Sequence, residues 1–368
     1  MTRSALPRVL HFVTGGFTGG ATQVAVKLVT AAGERGDAEA LLVVRRKRHT
    51  DSRRIDELRA RGLPIAEVPG WSHIATVLAL VRLCRQFRPD VLIAHGFSEH
   101  LWGRYAGLLA GVPHLVHVEH NTRERYTRWR LAQARWLADR TARIVGCSEG
   151  VRLRLLELGF PPERVMAIDN GINLAPFATE GTRPIAERDP AILMVARFAR
   201  QKDHATLLRA VALLRERGRR PPVYLAGGGR DNHKRAVETL ARQLGIDDQV
   251  HCLGVVRDIP QRLGNTRIAV LSTLYEGMPL ALIEGMAAGC AVVGSRVPGV
   301  QEIIDHGVNG LLAEPRDAAS LAAALEELLH DDALAAKLGA EARRQAFAHY
   351  DLARMAEEYS AMVAQIMR

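Results

Sequence analysis

Two glutamates flank a proline in the stretch 272–284, which reads STLYEGMPLALIE. Glu276 precedes Pro279, and a proline fits the first turn of a helix, where its missing N–H is not needed. Glu284 would lie about one turn inside that helix. The free backbone N–H groups of residues 280–282 would form the positive end of the helix dipole at its N-terminus. The pattern predicts an anion site beside two carboxylates, which suits a phosphorylated ligand rich in hydroxyl groups. Glutamates at this spacing also occur on solvated helix faces, so the pair alone leaves both interpretations open.

Two cations follow an earlier predicted strand, residues 192–195. Arg197 and Lys202 lie in the run VARFARQKD directly after it. A guanidinium and an ammonium group five residues apart around a turn can close on a diphosphate, although in isolation they also fit surface salt bridges. No Asp-x-Asp motif for Mg²⁺ or Mn²⁺ ends a predicted strand, and Asp247-Asp248 fits a turn. We therefore expect neither a metal nor another cofactor.

The elements that must position these groups alternate between strand and helix, which is typical of parallel sheets covered on both faces. Strands are predicted at residues 9–13, 39–44, 65–68, 91–94, 115–119, 144–147 and 165–168, and then at 192–195, 223–226, 250–253, 268–271 and 291–293. The 368 residues suit two domains, and the polar stretch at about 174–190 fits a linker. We expect an α/β chain of two tandem doubly wound, Rossmann-like domains, 1–173 and 174–349, that face a cleft.

A glycine-rich loop, TGGFTGG at 14–20, precedes a helix predicted at 21–32 that we expect to end near Gly33. Glycines allow the backbone to approach a phosphate closely at a helix N-terminus. The loop is not the dinucleotide fingerprint, because Phe17 takes the place of the second required glycine. Arg45-Arg46 ends the next strand, which an NADP-dependent redox enzyme could use, but no catalytic partner for such an enzyme follows.

Histidines come directly after two of the strands predicted in the first half of the sequence, 91–94 and 115–119. His120 comes directly after one strand, and His117 and His95 are rival candidates for a role in a site. A lone histidine is more often a structural hydrogen bonder, so the structural interpretation stays open for each. Glu119 and Glu99 lie near the same expected rim and are candidates to touch a second substrate.

The run 276–289, followed by AVVGS at 291–295, resembles the signature of the retaining nucleotide-sugar glycosyltransferases of family 4. Weaker matches follow the family order at 170–173, 227–229, 253–254, 299–302 and 309–311. The resemblance is strong from about residue 170 to 313 and thin in the first domain. It implies the GT-B architecture, in which a final helix, here about 350–368, crosses back to the first domain.

The resemblance also implies roles for individual residues. Arg197 and Lys202 fall on the diphosphate-binding pair, and Glu284 on the carboxylate that takes the ribose hydroxyls. Glu276 falls on the carboxylate that meets the donor sugar, and His120 on a histidine near the transferred sugar. The remaining donor-binding positions implied are Gly19, Gly20, Gly277, Met278, Pro279 and Leu280.

The net charge of +10 lies mainly in the first half: residues 1–180 carry +9 and the rest +1. Nucleic acid would explain a basic domain, but no nucleic-acid motif is present and aromatic residues are few. An anionic membrane surface fits better, through Arg45 to Arg48 and the aromatic, Arg-rich run 123–143 with Tyr126, Trp129 and Trp136, although solvated helices would carry the same charge.

Composition indicates where the protein works. Hydrophobic residues make up 48% and charged residues 24%, which is typical of a soluble enzyme. No apolar run approaches the roughly 18 residues of a spanning helix, and residues 1–7 do not form a secretory signal. We expect a cytoplasmic protein, with a peripheral position at the inner membrane face as the basic half suggests.

The sequence thus predicts a retaining, metal-independent glycosyltransferase. It would move a sugar from a UDP- or GDP-linked donor to a hydroxyl of a glycan or lipid-linked acceptor. A nucleotide-sugar epimerase of the same two-domain architecture is one alternative, and a non-catalytic nucleotide-binding protein is another. An epimerase would change the donor without any acceptor.

Overall fold

The chain divides into two α/β units, each built around a parallel sheet. The structure is a computed structural model that describes residues 6–17, 19–48, 50–123, 126–180 and 183–368. One unit comprises Met1–Gly171 and Leu352–Arg368, and the other comprises Ile172–Asp351. The chain therefore leaves the first unit once and returns to it for its last helix.

The sheet of the first unit has the order β3-β2-β1-β4-β5-β6-β7, with every neighbouring pair parallel. The strands are β1 (Arg8–Thr14), β2 (Glu39–Arg46), β3 (Ile65–Pro69), β4 (Val91–His95), β5 (His114–Glu119), β6 (Arg143–Gly146) and β7 (Val165–Ala167). The helices between them are α1 (Gly20–Arg35), α2 (Ser52–Ala60), α3 (His73–Phe87), α4 (Phe97–Ala110), α5 (Arg128–Ala138) and α6 (Glu149–Glu157). Helices cover both faces, so central strands such as β4 are buried throughout.

The sheet of the second unit has the order β10-β9-β8-β11-β12-β13, again parallel. Its strands are β8 (Asp189–Val195), β9 (Val223–Ala226), β10 (Val250–Gly254), β11 (Thr266–Leu271), β12 (Ala291–Ser295) and β13 (Leu311–Ala313). Its helices are α7 (Phe177–Glu180), α8 (His204–Glu216), α9 (Asp231–Gln243), α10 (Ile259–Asn265), α11 (Leu280–Ala287), α12 (Pro298–Gln301), α13 (Ala318–His330) and α14 (Asp332–His349). The short strand β13 and the helix α10 were not predicted.

The stretch predicted as a linker carries structure of its own. It contains α7 and a 3-10 turn at Ile185–Glu187, and Ile185 is buried. The two ends of the second unit meet, since the N–H of Ile172 donates to the carbonyl of Tyr350 at 2.9 Å. The first and last residues of the second unit are therefore held together by a backbone hydrogen bond.

Helix α1 is longer than predicted. It passes through Gly33 and ends at Arg35, where Gly36 adopts a left-handed conformation with φ of 62°. Glycine adopts this conformation without steric cost, which explains why the helix stops there and not three residues earlier.

The final helix, α15 (Leu352–Ile366), belongs to the first unit and packs beside α1. Its buried side chains include Met355, Tyr359 and Met362. By contrast, Met367, just beyond the end of the helix, is exposed. The helix is also tied by Ser360, whose hydroxyl donates to Asp37 at 2.8 Å.

Candidate active site

The sheet of the second unit has a switch point between β8 and β11. The chain builds β9 and β10 on one side of β8, and then β11, β12 and β13 on the other. Ligands of open parallel sheets bind beyond the carboxyl ends of the strands at such a point. The segment that leaves β8 carries Arg197 and Lys202, and the segment that leaves β11 carries Glu276.

Lys202 and Glu276 form a largely buried ion pair. The Nζ of Lys202 lies 2.6 Å from Oε1 of Glu276, and the two side chains are 15% and 8% exposed. The hydroxyl of Thr273 donates to the same carboxylate oxygen at 2.7 Å. The structure thus brings together two of the predicted site residues from loops 74 residues apart in the sequence.

Further hydrogen bonds fasten the two loops together. The N–H of Leu274 donates to the carbonyl of Gln201 at 2.9 Å, and the side-chain amide of Gln201 donates to the carbonyl of Tyr275 at 2.7 Å. The N–H of Thr273 donates to the hydroxyl of Ser295, at the end of β12, at 2.9 Å. Sequence reasoning did not assign Gln201 or Thr273 to the site, and the polar Ser272-Thr273 pair after a buried strand was the available signal.

Arg197 is exposed at the same edge, and close backbone packing fixes its position. A Cβ on Gly227 would lie 2.0 Å from the carbonyl oxygen of Ala196, so the loop after β9 lies directly against the segment that carries Arg197. The N–H of Phe198 also donates to the carbonyl of Gly228 at 2.7 Å. The guanidinium remains in solvent while its backbone is held on both sides.

Helix α11 begins one residue later than the proline that predicted it. Pro279 is the cap, and the helix starts at Leu280. The expectation of a free N–H at Leu282 is wrong, because this group donates to the carbonyl of Pro279 at 3.0 Å. Glu284 lies half-buried about one turn inside the helix, as its place in the sequence predicts.

The backbone before α11 is packed against another loop. A Cβ on Gly299, in α12, would lie 2.2 Å from the carbonyl oxygen of Gly277 and 2.7 Å from that of Glu276. No side chain fits in this contact, so glycine is required at position 299. Gly277 and Met278 are buried as a result of this packing around the helix mouth.

In the first unit, the glycine-rich loop connects β1 to α1. Gly19 is the cap of α1 and Gly20 its first residue, while Thr18 lies outside the described residues. The N–H of Gly15 donates to the carbonyl of Arg45 at 3.0 Å, and the side-chain amide of Gln23 donates to the carbonyl of Phe17 at 2.6 Å. The loop is therefore folded back on its own helix and on β2.

The candidate histidines differ in their surroundings. His95 is fully buried at the end of β4, and Nδ1 of this residue lies 3.2 Å from Nε2 of His120. His117 is also fully buried and stacks on His100, with ring centroids 3.9 Å apart. His120, just past β5, is half-buried, and burial lowers its pKa to about 4. Of the three candidates, His120 alone retains an accessible surface.

Two family models and a set of relatives match this chain. The model for Glycosyltransferase Family 4 matches residues 18–176, and the model for Glycosyl transferases group 1 matches residues 179–345. The D-inositol 3-phosphate glycosyltransferase of Thermobispora bispora is 30% identical over 338 residues, covering 82% of this chain and 78% of that protein. The chain belongs to the glycosyltransferases. The lipopolysaccharide core biosynthesis glycosyltransferase LpsE of Rhizobium meliloti is 28% identical over 90% of this glycosyltransferase and 91% of its own length.

The fold of this glycosyltransferase is that of known GT-B structures. The crystal structure of Anabaena Alr3699/HepE in complex with UDP-glucose matches with a TM-score of 0.84 at 20% identity, covering 97% of this chain and 99% of that one. The predicted fold class, two Rossmann-like α/β domains with a returning final helix, is confirmed.

A buried polar network lies behind His120 in this glycosyltransferase. Arg104 donates to Nδ1 of His100 at 2.7 Å, and the hydroxyl of Tyr126 lies 3.0 Å from Nε2 of His100. Tyr126 donates to Glu119 at 3.3 Å. The network joins a buried cation, Arg104, to a buried carboxylate through two neutral side chains. Glu119 is thus occupied inside the unit and is not presented to an acceptor, contrary to the expectation.

The same region could be mistaken for a metal site. His100, His117 and Glu119 bring three ligand atoms within 4.8 Å of one another. A metal-bound histidine donates its second ring N–H to an acceptor, whereas Arg104 is a donor and takes that position at His100. The donor set therefore fits a hydrogen-bond network and does not fit a metal ion.

The basic run at the end of β2 is divided between interior and surface. Arg45 is 3% exposed and pairs with the buried Glu99 at 3.4 Å, and Lys47 pairs with the same carboxylate at 3.0 Å. The expectation that Arg45 contributes to a membrane-docking face is therefore wrong, because its side chain is buried. Glu99 is buried too and does not lie at the rim of the site, where it was expected. Arg46 remains exposed at the end of the strand.

Proposed function

We propose that this glycosyltransferase moves a hexosyl group from a nucleoside diphosphate sugar, UDP- or GDP-linked, to a hydroxyl acceptor, with retention and without a metal. The carrying observation is the buried Lys202–Glu276 pair at the switch point of the second sheet, beside the first turn of α11. The similarity to a structure solved with UDP-glucose supports a uridine donor. The resemblance of the run 276–289 to the retaining enzymes supports retention.

The diphosphate is held by Arg197, Lys202 and the first N–H groups of α11. Negative charge grows on the diphosphate as the sugar–phosphate bond breaks, and fixed positive groups at that position lower the barrier. Lys202 has three N–H donors and gives one to Glu276, so two remain for phosphate oxygens. These cations perform the neutralisation for which other enzymes use a metal.

The two carboxylates orient the donor. Glu276 accepts hydrogen bonds from the transferred sugar, and its position is set by Thr273 and Lys202. Glu284, one turn into α11, accepts from the ribose hydroxyls. For the first unit we assign a substrate hydroxyl to His120 and a donor phosphate to the backbone of Gly19 and Gly20, on the family resemblance.

The reaction balances without a covalent intermediate. The acceptor oxygen forms a bond to the anomeric carbon on the face from which the diphosphate leaves. The bond between that carbon and the phosphate oxygen breaks, and the acceptor proton passes to the departing diphosphate. No side chain of the proposed site is required as a nucleophile.

The acceptor side of the proposal includes an anionic membrane surface. Trp71, just before α3, and Ile74 and Leu78, in its first two turns, are 85%, 73% and 63% exposed, which is high for large apolar side chains. They adjoin the basic end of β2, where Arg46 is exposed, and this combination suits an anionic lipid surface. The Rhizobium relative named for lipopolysaccharide core biosynthesis supports a lipid-linked glycan acceptor. None of the helices in the described part of the chain has the length and apolarity needed to cross a bilayer.

The test is a panel of UDP- and GDP-hexoses offered with and without lipid-linked acceptors, in the presence of EDTA. We expect release of the nucleoside diphosphate to match the gain of one hexose on the acceptor, unaffected by EDTA. Conversion of the donor sugar without an acceptor would indicate an epimerase, and binding without turnover a non-catalytic protein. Strict dependence on Mn²⁺ would contradict the metal-free mechanism.

A further inference from the structure

Three histidines form a continuous chain across the sheet of the first unit. Nδ1 of His11, in β1, lies 3.1 Å from Nε2 of His95, at the end of β4. Nδ1 of His95 lies 3.2 Å from Nε2 of His120, just past β5. Neighbouring ring planes are inclined by only 21° and 23°, so each pair of facing nitrogens is well placed for a hydrogen bond.

The strand register builds this chain. His11 is paired with Ile93 in β4, and His95 is paired with Val118 in β5. Because side chains alternate between the faces of a sheet, His95 lies two residues beyond Ile93 on the same face, and His120 two residues beyond Val118. The three rings therefore step towards the carboxyl edge, one strand at a time.

A neutral imidazole donates through one nitrogen and accepts through the other, so the chain has two coupled arrangements. In one, the protons point towards His120 and its Nδ1 carries a hydrogen. In the other, His120 donates to His95, His95 donates to His11, and Nδ1 of His120 carries a lone pair. The rings stay neutral near pH 7, since burial lowers the pKa of His11 and His120 to about 4 and that of His95 well below its ordinary value.

The surroundings of His120 and His11, the two ends of the histidine chain, favour the second arrangement. Nδ1 of His120 is buried and has no hydrogen-bond partner in the protein. An orphaned N–H there would be costlier than an orphaned lone pair. At the other end, His11 lines a cavity of about 540 Å³ between α1 and α15, with room for water to accept its remaining N–H.

We propose that His95 and His11 are positioning residues that hold His120 in the Nε2–H tautomer, so that its Nδ1, which the protein covers in the absence of substrate, presents a lone pair to a hydroxyl of the substrate when the substrate binds. The assignment rests on the proposed function, because it takes the transferred sugar or the acceptor as the source of that hydroxyl. His95 and His11 do not touch the substrate. They act by fixing which nitrogen of His120 bears the proton and which way its ring faces.

The first test observes the tautomer directly and requires no turnover. In protein labelled with ¹⁵N-histidine, long-range ¹H–¹⁵N spectra at pH 7.5 report which nitrogen of each ring is protonated, and His120→Gln identifies its signals among the 14 histidines. We expect His120 to be protonated at Nε2 in the wild type. A proton on Nδ1 would overturn the proposal whether or not a donor sugar has been found, which separates its failure from that of the proposed function.

The second test compares two substitutions of His95. In His95→Gln the amide can still donate to His11 and accept from His120, whereas His95→Leu removes both bonds. We expect His95→Leu to lower kcat/KM by roughly 10- to 100-fold, with unchanged affinity for the nucleoside diphosphate and a mixed His120 tautomer. His95→Gln should restore most of the activity and the Nε2–H tautomer.

The matched control is His114→Leu, since His114 lies on the same strand as His117 but is not one of the three hydrogen-bonded histidines. This substitution should leave both readouts unchanged. If His95→Leu is folded by thermal melting and keeps both its kcat/KM and the His120 tautomer, the positioning role is wrong. If His95→Leu does not fold, His11→Leu takes its place, since His11 is one ring further from the substrate and should change the same two readouts in the same direction.

Discussion

At the scale of single residues, Lys202 and Glu276 depend on each other. Their 2.6 Å pair is mostly removed from water, so either charge would be costly without the other. The same pair supplies a cation for the diphosphate and a carboxylate for the sugar. A substitution at either position therefore acts on stability and on catalysis together, and an experiment must separate the two effects.

A double substitution separates them. Lys202→Ala should abolish transfer, weaken nucleotide binding and lower the free energy of unfolding by a few kcal/mol, because it removes the cation that faces a buried carboxylate. Adding Glu276→Gln removes that charge, so the Tm of the double variant should recover while transfer stays absent. Melting curves and single-turnover assays measure the two effects. Full activity in Lys202→Ala would refute its assignment to the diphosphate.

Arg197 allows a cleaner test because it is exposed and its loss should not disturb the fold. We expect Arg197→Ala to reduce kcat/KM by about 100-fold or more with an unchanged Tm, since a cation facing the leaving group is lost. Arg200→Ala, another exposed arginine of the same loop, is the matched control and should retain activity. Equal effects of both substitutions would mean that general charge, and not position, matters.

At the scale of elements, the site depends on backbone packing that excludes side chains. Gly299 of α12 lies against the carbonyl groups of Glu276 and Gly277, so α12 supports the loop that leads into α11. This contact sets the distance between the loop and the helix mouth. The geometry of the donor site is thus controlled by a residue that need not touch the donor.

Gly299→Ala should force this loop away from its support. We expect a loss of about 1–3 kcal/mol in the free energy of unfolding and at least a 10-fold loss of activity, because the added methyl group would lie 2.2 Å from a carbonyl oxygen. Gly33→Ala in α1 is the control: its Cβ meets no atom within 4 Å, and it should stabilise the protein by about 0.5–1 kcal/mol. Normal activity in a folded Gly299→Ala protein would show that the loop tolerates displacement.

The sequence predicts the elements better than the contacts between them. Alternating strand and helix patterns suffice for the parallel sheets, and a proline suffices to place the start of α11 within one residue. The pair Lys202–Glu276 and the chain His11–His95–His120 depend on strand order and register, which join residues 74, 84 and 25 positions apart. Strand β13, with three residues, shows no period and was missed, although β7 of the same length was predicted.

At the scale of the whole molecule, the two units should respond differently to acid. Burial lowers the pKa values of five histidines that all lie in the first unit, namely His11, His95, His100, His117 and His120. Among the described residues of the second unit, His204 is the histidine whose pKa is lowered by burial, to about 4. Acid should therefore act mainly on the first unit.

The sign follows from proton binding. In the unfolded chain, histidines gain protons as the pH falls below their ordinary pKa of 6.5. In the folded protein, His11 and His120 stay neutral down to a pH of about 4, because burial lowers their pKa. The unfolded state binds more protons in this window, so the first unit should lose stability as the pH falls from about 6.5 to 4. All four tryptophans of the sequence lie in the first unit, so melting followed by tryptophan fluorescence reports it selectively. A melting temperature that is independent of pH across this window would contradict the prediction.

The uneven charge predicts selective membrane binding. The enzyme should sediment with phosphatidylcholine vesicles that contain phosphatidylglycerol, bind less without it, and dissociate as salt is raised. Trp71→Ala together with Ile74→Ser should weaken binding about 10-fold, because most of the exposed apolar contact is removed. Phe347→Ala, an exposed apolar position of the second unit, is the control. Unchanged sedimentation of the double variant would exclude this face.

The returning helix α15 has a consequence for biosynthesis. Because α15 is synthesised after the whole second unit, the first unit lacks this helix until then, and the second unit, whose ends meet at Ile172 and Tyr350, can complete its folding earlier. The part of the chain made first is then the part finished last. A nascent chain stalled before Leu352 would carry a finished second unit joined to a first unit whose β1 and α1 face still awaits its cover.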